Sequence, residues 1–230
     1  MTRGLILTYF VAMTQLTQSV RLEFADDIAL IRIDNPPVNA LSHHVRQGLL
    51  DGMKQAESSE ASAIVLICDG RTFIAGADIT EFSGPPMPPS LQSAQDAMEN
   101  CTKPVVAAVH GTALGGGLEV ALCAHYRVGS PSSQYGLPEV KLGLLPGAGG
   151  TQRLPRGTGA EKALQMMTSG DPISAEEALA CGLIDEIAEE LEAGAIAFAR
   201  RAVSESFPLL RIRDRNDKLS DVSSDLLKEF

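Results

Sequence analysis

Two short, unbroken apolar runs constrain this chain most: Ala63 to Cys68 (AIVLIC) and Pro104 to Val109 (PVVAAV). A strand with one wet face alternates apolar and polar residues, whereas a run this short without alternation is the mark of a strand buried on both faces. Between the two lies a polar stretch of helical character, Leu91 to Glu99. Strands alternating with helices predict an α/β architecture.

The flanking sequence supports that reading. Ile28 to Ile33 reads as a strand that stops at Asp34-Asn35-Pro36-Pro37, whose prolines cannot continue a ladder. Ser42 is the expected N-cap of a helix running to about Gln55, with Val45, Leu49, Leu50 and Met53 on one face. Ser83 to Ser90 holds four prolines in eight residues, which predicts a surface loop. After Gly157 the pattern is mainly helical: Ala160 to Met167, Ser174 to Ala180 behind a cap-like Asp171 to Glu177, and Ala188 to Ser206. The end, Arg211 to Phe230, is charged and weakly periodic. These features give three parts: an N-terminal extension at 1–12 with Met13 as the natural start, a domain at 13–205, and a tail or interdomain linker at 206–230.

Composition excludes several functions. The net charge is −10, and there is no Lys/Arg-rich run of the kind that binds a nucleic-acid backbone. Cys68, Cys101, Cys123 and Cys181 lie far apart, as do His43, His44, His110 and His125, so neither residue type has metal-ligand spacing. Reduced thiols in a cytoplasmic core are the expectation. No run approaches the ~18 apolar residues of a membrane span. No membrane partner, nucleic acid or metal is therefore expected.

Of the 21 glycines, many fall in three stretches: Ile74-Ala75-Gly76-Ala77-Asp78, Leu114-Gly115-Gly116-Gly117-Leu118-Glu119, and Pro146-Gly147-Ala148-Gly149-Gly150-Thr151. Each follows an apolar or strand-like segment, and the last two run into helical patterns. Without a Cβ, backbone N–H groups can face a ligand, and a helix N-terminus adds partial positive charge. Phosphate loops do not fit: no Lys-Ser or Lys-Thr occurs, and no G-x-G-x-x-G sits at a strand-to-helix turn with an acid ~20 positions on. A transient oxyanion or enolate fits better. Glu119 follows the triple glycine in a mostly apolar helix, and Glu139 sits among apolar neighbours in Gly136-Leu137-Pro138-Glu139-Val140. Acids in such surroundings have raised pKa values suited to proton transfer, although each alone also reads as an ordinary helix-start or loop acid. Together with an oxyanion site they point to proton chemistry beside a carbonyl.

Four segments, Asn35-Pro36-Pro37-Val38-Asn39-Ala40-Leu41-Ser42, Phe73 to Ile79, Gly111 to Glu119 and Gly136 to Leu154, resemble the crotonase, or enoyl-CoA hydratase/isomerase, superfamily. The resemblance runs in order from about Val20 to Ile187. Gly117-Leu-Glu-Val-Ala-Leu-Cys-Ala-His-Tyr-Arg looks most like the N-terminal hydratase half of multifunctional β-oxidation enzymes, and Arg211 to Lys218 resembles the segment leading to their dehydrogenase half. It implies a crotonase-like spiral of ββα repeats with a C-terminal helical region, and an acyl-CoA thioester substrate. Carried over, the N–H groups of Ala77 and Gly116 form the oxyanion hole, and Glu119 and Glu139 are the two catalytic acids. Val38, Ala40, Ala75, Gly76, Asp78, Ile79, Thr80 and Gly115 fall where substrate and CoA bind, and Gly147 begins the helix beside the water site. No cofactor is implied, coenzyme A being part of the substrate, and no NAD site is claimed. Partners implied are a homotrimer or hexamer, or a covalent dehydrogenase domain, with the chain as the first domain of a longer polypeptide. Both acids point to hydration of 2-trans-enoyl-CoA, with double-bond isomerisation as a second activity. Isomerisation alone, or a non-catalytic acyl-CoA scaffold, are the alternatives.

Overall fold

The computed structural model describes residues 13–85 and 87–219. The extension expected at 1–12 lies outside the described residues, as does the tail from 220 to 230.

The chain opens with an antiparallel pair, β1 (Met13–Thr17) and β2 (Val20–Ala25), and β2 pairs antiparallel with β3 (Ile28–Ile33). From there the pairing turns parallel. The helix α1 (His43–Ser58) returns the chain to β4 (Ala63–Cys68), beside β3; α2 (Leu91–Glu99) then leads to β5 (Val105–Val109), beside β4. Next come β6 (Thr112–Leu114), α3 (Gly116–Ala121), β7 (Tyr126–Gly129) and β8 (Gln134–Gly136). The strand β7 extends the large sheet beside β5, while β6 and β8 pair parallel in a second sheet. Each turn thus adds one strand to the large sheet and one short extended segment to a second layer. Leu41 bridges Ala77, Ile74 bridges Ala113, and β6 pairs with β8. Stacked turns of this kind are the spiral that the resemblance implies.

The C-terminal part is helical: α4 (Gly150–Thr158), α5 (Ala160–Ser169), α6 (Ala175–Ala180) and α7 (Leu191–Ser204), with two-residue strands β9 (Ile173–Ser174) and β10 (Glu186–Ile187) closing the two sheets. The helix expected from Ala188 begins at Leu191 instead, after β10 has paired with β7.

The unbroken apolar runs are covered on both faces. Ile64, Leu66 and Cys68 of β4, with Val105, Ala107 and Val109 of β5, join a core that includes Val45, Leu49 and Met53 of α1. The alternate residues Ala63, Val65, Ile67, Val106 and Ala108 pack with Ala195, Phe198, Ala199 and Ala202 of α7. Burying such side chains contributes roughly 1.5–3 kcal/mol each relative to exposure for the larger ones. After α7 the chain turns back onto the domain: Phe207 meets Tyr126 and Phe198, Ile212 is buried, and Lys218 Nζ donates to the carbonyls of Gly157 and Cys181.

Ser42 is the N-cap residue of α1, but its side chain makes no capping bond. The carboxylate of Glu81, from the 3₁₀ turn Ile79–Ser83, accepts the His43 N–H at 2.6 Å and pairs with Arg46 at 2.7 Å. An acid is favoured at a helix N-terminus wherever it comes from.

Candidate active site

The loop after β3 fixes one wall of the site. Asn39 adopts φ of 53°, a left-handed conformation that asparagine tolerates, and its amide donates to the carbonyls of Asp69 and Thr72, both at 2.8 Å. Its Oδ1 accepts the Asn35 N–H at 2.7 Å. With the loop so held, Val38 O accepts the Ala75 N–H at 3.1 Å and Leu41 N–H donates to Gly76 O at 2.9 Å. Val38 and Ala40 therefore run beside Ala75, Gly76 and Ala77.

The triple glycine brings α3 against this wall. Gly115 sits at φ of 53°, ψ of −126°, a backbone that L side chains avoid, with its N–H bonded to Gly136 O. At Gly117 a Cβ would stand 2.0 Å from Ile74 O, so any side chain would force α3 away from the extended segment. The close approach sets Gly116 beside Ala77: a Cβ built on Gly116 lies 3.8 Å from the Ala77 nitrogen. Among the described residues, no oxygen accepts a hydrogen bond from the N–H of either Ala77 or Gly116. Gly116 is the first residue of α3, where backbone N–H groups have no intrahelical partner.

Glu119 lies in α3, 2% exposed, and its Oε1 accepts two backbone N–H groups, from Ala148 and Gly150, each at 2.8 Å. Among the described residues nothing donates to its Oε2. Burial pushes this carboxyl above the usual carboxylate range, and the N–H groups of Gly150 and Ala148 and the charge of Arg153 oppose that rise. Glu139 stands in the 3₁₀ turn Pro138–Leu142, half-buried, with its Oε2 shielded and without a hydrogen-bond partner among the described residues. Burial raises its pKa too, its own N–H lowers it, and the nearby charge of Glu119 raises it further. Two neighbouring acids, one of which disfavours the ionisation of the other, can divide the roles of proton acceptor and proton donor.

Both acids line one cavity of about 390 Å³, together with Ala75, Gly76, Ala77, Ile79, Gly115, Gly116 and Gly147. Other expected site residues lie elsewhere. Val38 shares a neighbouring hollow with Ala75, Arg71 and Thr112, and Asp78 lines another with Arg46 and Met87. Asp78 Oδ1 accepts from both the N–H and the hydroxyl of Thr80, capping the exposed 3₁₀ turn that follows. Gly147 borders the cavity but does not begin a helix: α4 starts at Gly150, after Gly149 in a left-handed conformation, and Gly147 belongs to the preceding turn. Two donors beside two acids suit a reaction in which an oxygen gains charge while protons move nearby.

The cavity has features that the sequence alone did not single out. Leu91, Leu142, Leu144 and Leu145 give it an apolar wall, and the last three are exposed at 72%, 52% and 79%. Gln95, fully buried, donates to the carbonyls of Ala148 and Glu119. Among the described residues no cluster of His, Cys, Asp or Glu is placed to hold a metal ion, and no helix is long and apolar enough to cross a membrane.

Comparison with known proteins places this chain among relatives. The family model described as enoyl-CoA hydratase/isomerase matches residues 23–214. A peroxisomal bifunctional enzyme of Danio rerio is 48% identical over 188 residues, which are 80% of this chain and 26% of the relative. The chain thus spans about a quarter of that protein's length. A probable enoyl-CoA hydratase of Bacillus subtilis (strain 168) is 39% identical over 80% of this chain and 78% of its own. The solved structure of an enoyl-CoA hydratase subunit I from Geobacillus kaustophilus HTA426 superposes with a TM-score of 0.74 and 33% identity, covering 86% of this chain and 80% of that one.

Proposed function

The chain belongs to the enoyl-CoA hydratase/isomerase family, and from that premise we propose that it adds water across the double bond of 2-trans-enoyl-CoA thioesters in fatty-acid β-oxidation. One observation carries the reading: two carboxyls and two backbone donors with no acceptor among the described residues meet at a single cavity with a wall of leucines. The thioester carbonyl would accept from Ala77 and Gly116 as negative charge builds on its oxygen. Glu119, with Oε1 occupied by the Ala148 and Gly150 N–H groups, would use Oε2 to take a proton from the water attacking C3. Glu139 would hold the same water and give a proton to C2, and the proton taken up by Glu119 would then pass to Glu139 through solvent, restoring both acids for the next turnover. The water oxygen and one hydrogen end on C3, the other carbon gains one hydrogen, and a 3-hydroxyacyl-CoA results by syn addition.

The acyl chain would lie along Leu142, Leu144 and Leu145, with the CoA portion following Val38, Ala40 and the Ala75 to Thr80 segment. Shifting a 3-enoyl double bond to position 2 needs one acid to carry a proton between C4 and C2, so Glu139 supports that second activity. The four free cysteines support a reducing compartment, and the cytoplasm is the one proposed. Co-fractionation of the native protein with peroxisomes, the compartment in the name of the Danio rerio relative, would replace that assignment. Loss of the conjugated enoyl thioester absorbance of crotonyl-CoA, followed through a series of longer 2-enoyl-CoAs, tests the activity and ranks acyl lengths. No turnover across the series would refute it.

A further inference from the structure

A buried ion pair stands behind the turn that holds Glu119. The side chain of Glu99, at the end of α2, has no exposure and takes Arg153 of α4 in a two-pronged contact: Nε to Oε1 at 2.8 Å and Nη2 to Oε2 at 2.9 Å. The remaining nitrogen, Nη1, donates to Ala148 O at 3.1 Å. So close does it pack under the turn that a Cβ on Gly149 would lie 1.8 Å away. Gln95 donates to the same Ala148 carbonyl at 2.9 Å. The peptide unit lying between the two that offer N–H groups to Glu119 is thus held from the other side, by Gln95 of α2 and by Arg153, which Glu99 of α2 grips.

Glu99 also receives a second arginine. Arg213 Nη1 is 3.0 Å from Oε2, and both Arg213 and Arg211 donate to Asn100 Oδ1. Between those arginines Ile212 is buried, with its side chain against Gly157 of α4. Removing charges from water is costly unless every group is satisfied, and a planar guanidinium meets that demand with fixed directions that an ammonium lacks.

We propose that Arg153, gripped by Glu99, is a positioning residue that fixes the Ala148 to Gly150 turn and thereby the carboxylate of Glu119, and that Arg213 ties this set to the segment after α7. The proposal rests on the reading of Glu119 as the group that deprotonates water. The charged and titratable groups around Glu119 are Arg153 from α4, Glu139 from the 3₁₀ turn, Cys123 beyond its own helix, and Glu99 and Asp96 from α2 behind Arg153. Of these, Arg153 favours the ionised carboxylate.

Crotonyl-CoA hydration by Arg153→Lys, Arg153→Met and Arg213→Gln tests this. Arg153→Lys keeps the charge and loses the fork: kcat falls about 10- to 100-fold with KM within about twofold and the acid limb of the pH profile in place. Arg153→Met loses kcat likewise and moves the acid limb to higher pH. Arg213→Gln, altering a partly exposed side chain, lowers kcat about two- to fivefold with KM unchanged. Wild-type kcat in folded Arg153→Lys overturns the proposal; should the Arg153 variants fail to fold, unchanged kcat in Arg213→Gln overturns it. If the wild type itself hydrates no enoyl-CoA, the functional reading fails separately. Carboxyl ¹³C spectra of Glu119, assigned through Glu119→Gln, then decide: a changed Glu119 carboxyl shift in the charge-preserving Arg153→Lys or in Arg213→Gln supports the positioning role, and an unchanged shift in both overturns it.

Discussion

Gly150, the first residue of α4, donates its N–H to Oε1 of Glu119 at 2.8 Å, so the start of one helix holds the acid of another. The helix start favours a carboxylate and burial disfavours it, which leaves an acid raised above its usual range yet fixed in direction.

Glu119→Gln keeps an oxygen to accept from Ala148 and Gly150 and removes the base. We expect kcat for crotonyl-CoA to fall by about 100- to 10,000-fold while the fold persists. Circular dichroism and the absorbance assay check the two halves; near-wild-type turnover would remove Glu119 from the chemistry.

Glu139 combines a raised pKa with a shielded Oε2 that has no hydrogen-bond partner among the described residues. Its folded-state pKa lies above its unfolded value, so the folded chain holds the proton more tightly. Stability is therefore lost as pH rises from the ordinary carboxylate value through the raised one. Glu139→Gln removes that loss while abolishing most turnover. Its melting temperature, relative to wild type, should gain more at pH 7 than at pH 4; an equal difference at both would contradict the assignment.

Gly117→Ala pushes a Cβ into the carbonyl of Ile74 and separates α3 from the Ala77 segment. A stability loss on the order of 3 kcal/mol is expected in urea melts, together with lost turnover as the two N–H donors part.

Glu81→Ala removes the acceptor for the His43 N–H and the partner of Arg46. A cost of about 1–2 kcal/mol should appear in the same melts, as for a lost helix cap. Ser42→Ala should cost less, because the Ser42 side chain makes no capping bond.

What could be read from the sequence was local. The strands β4 and β5 declared themselves through runs that no wet face interrupts, and α2 occupies the stretch expected of it, Leu91–Glu99. The two acids and the glycines around Ala77 and Gly116 stood out because apolar context and missing side chains are visible in one dimension. What was not visible depends on distant partners. Glu81 reaches α1 across 38 residues to replace a serine cap, and Glu99 meets Arg153 across 54. The start of α4 at Gly150 rather than Gly147 follows from a left-handed Gly149 and from Glu119 binding the turn's N–H groups. Leu142, Leu144 and Leu145 carry no mark in the sequence of lining a cavity, yet they stay exposed around one.

Hydration itself is tested most directly by incubating crotonyl-CoA with the purified protein in deuterated water and analysing the product. The account predicts 3-hydroxybutyryl-CoA with one deuterium at C2, added on the same face as the hydroxyl, and almost none of it with Glu139→Gln. Unchanged crotonyl-CoA, or deuterium exchange with no hydroxyl added, would contradict it.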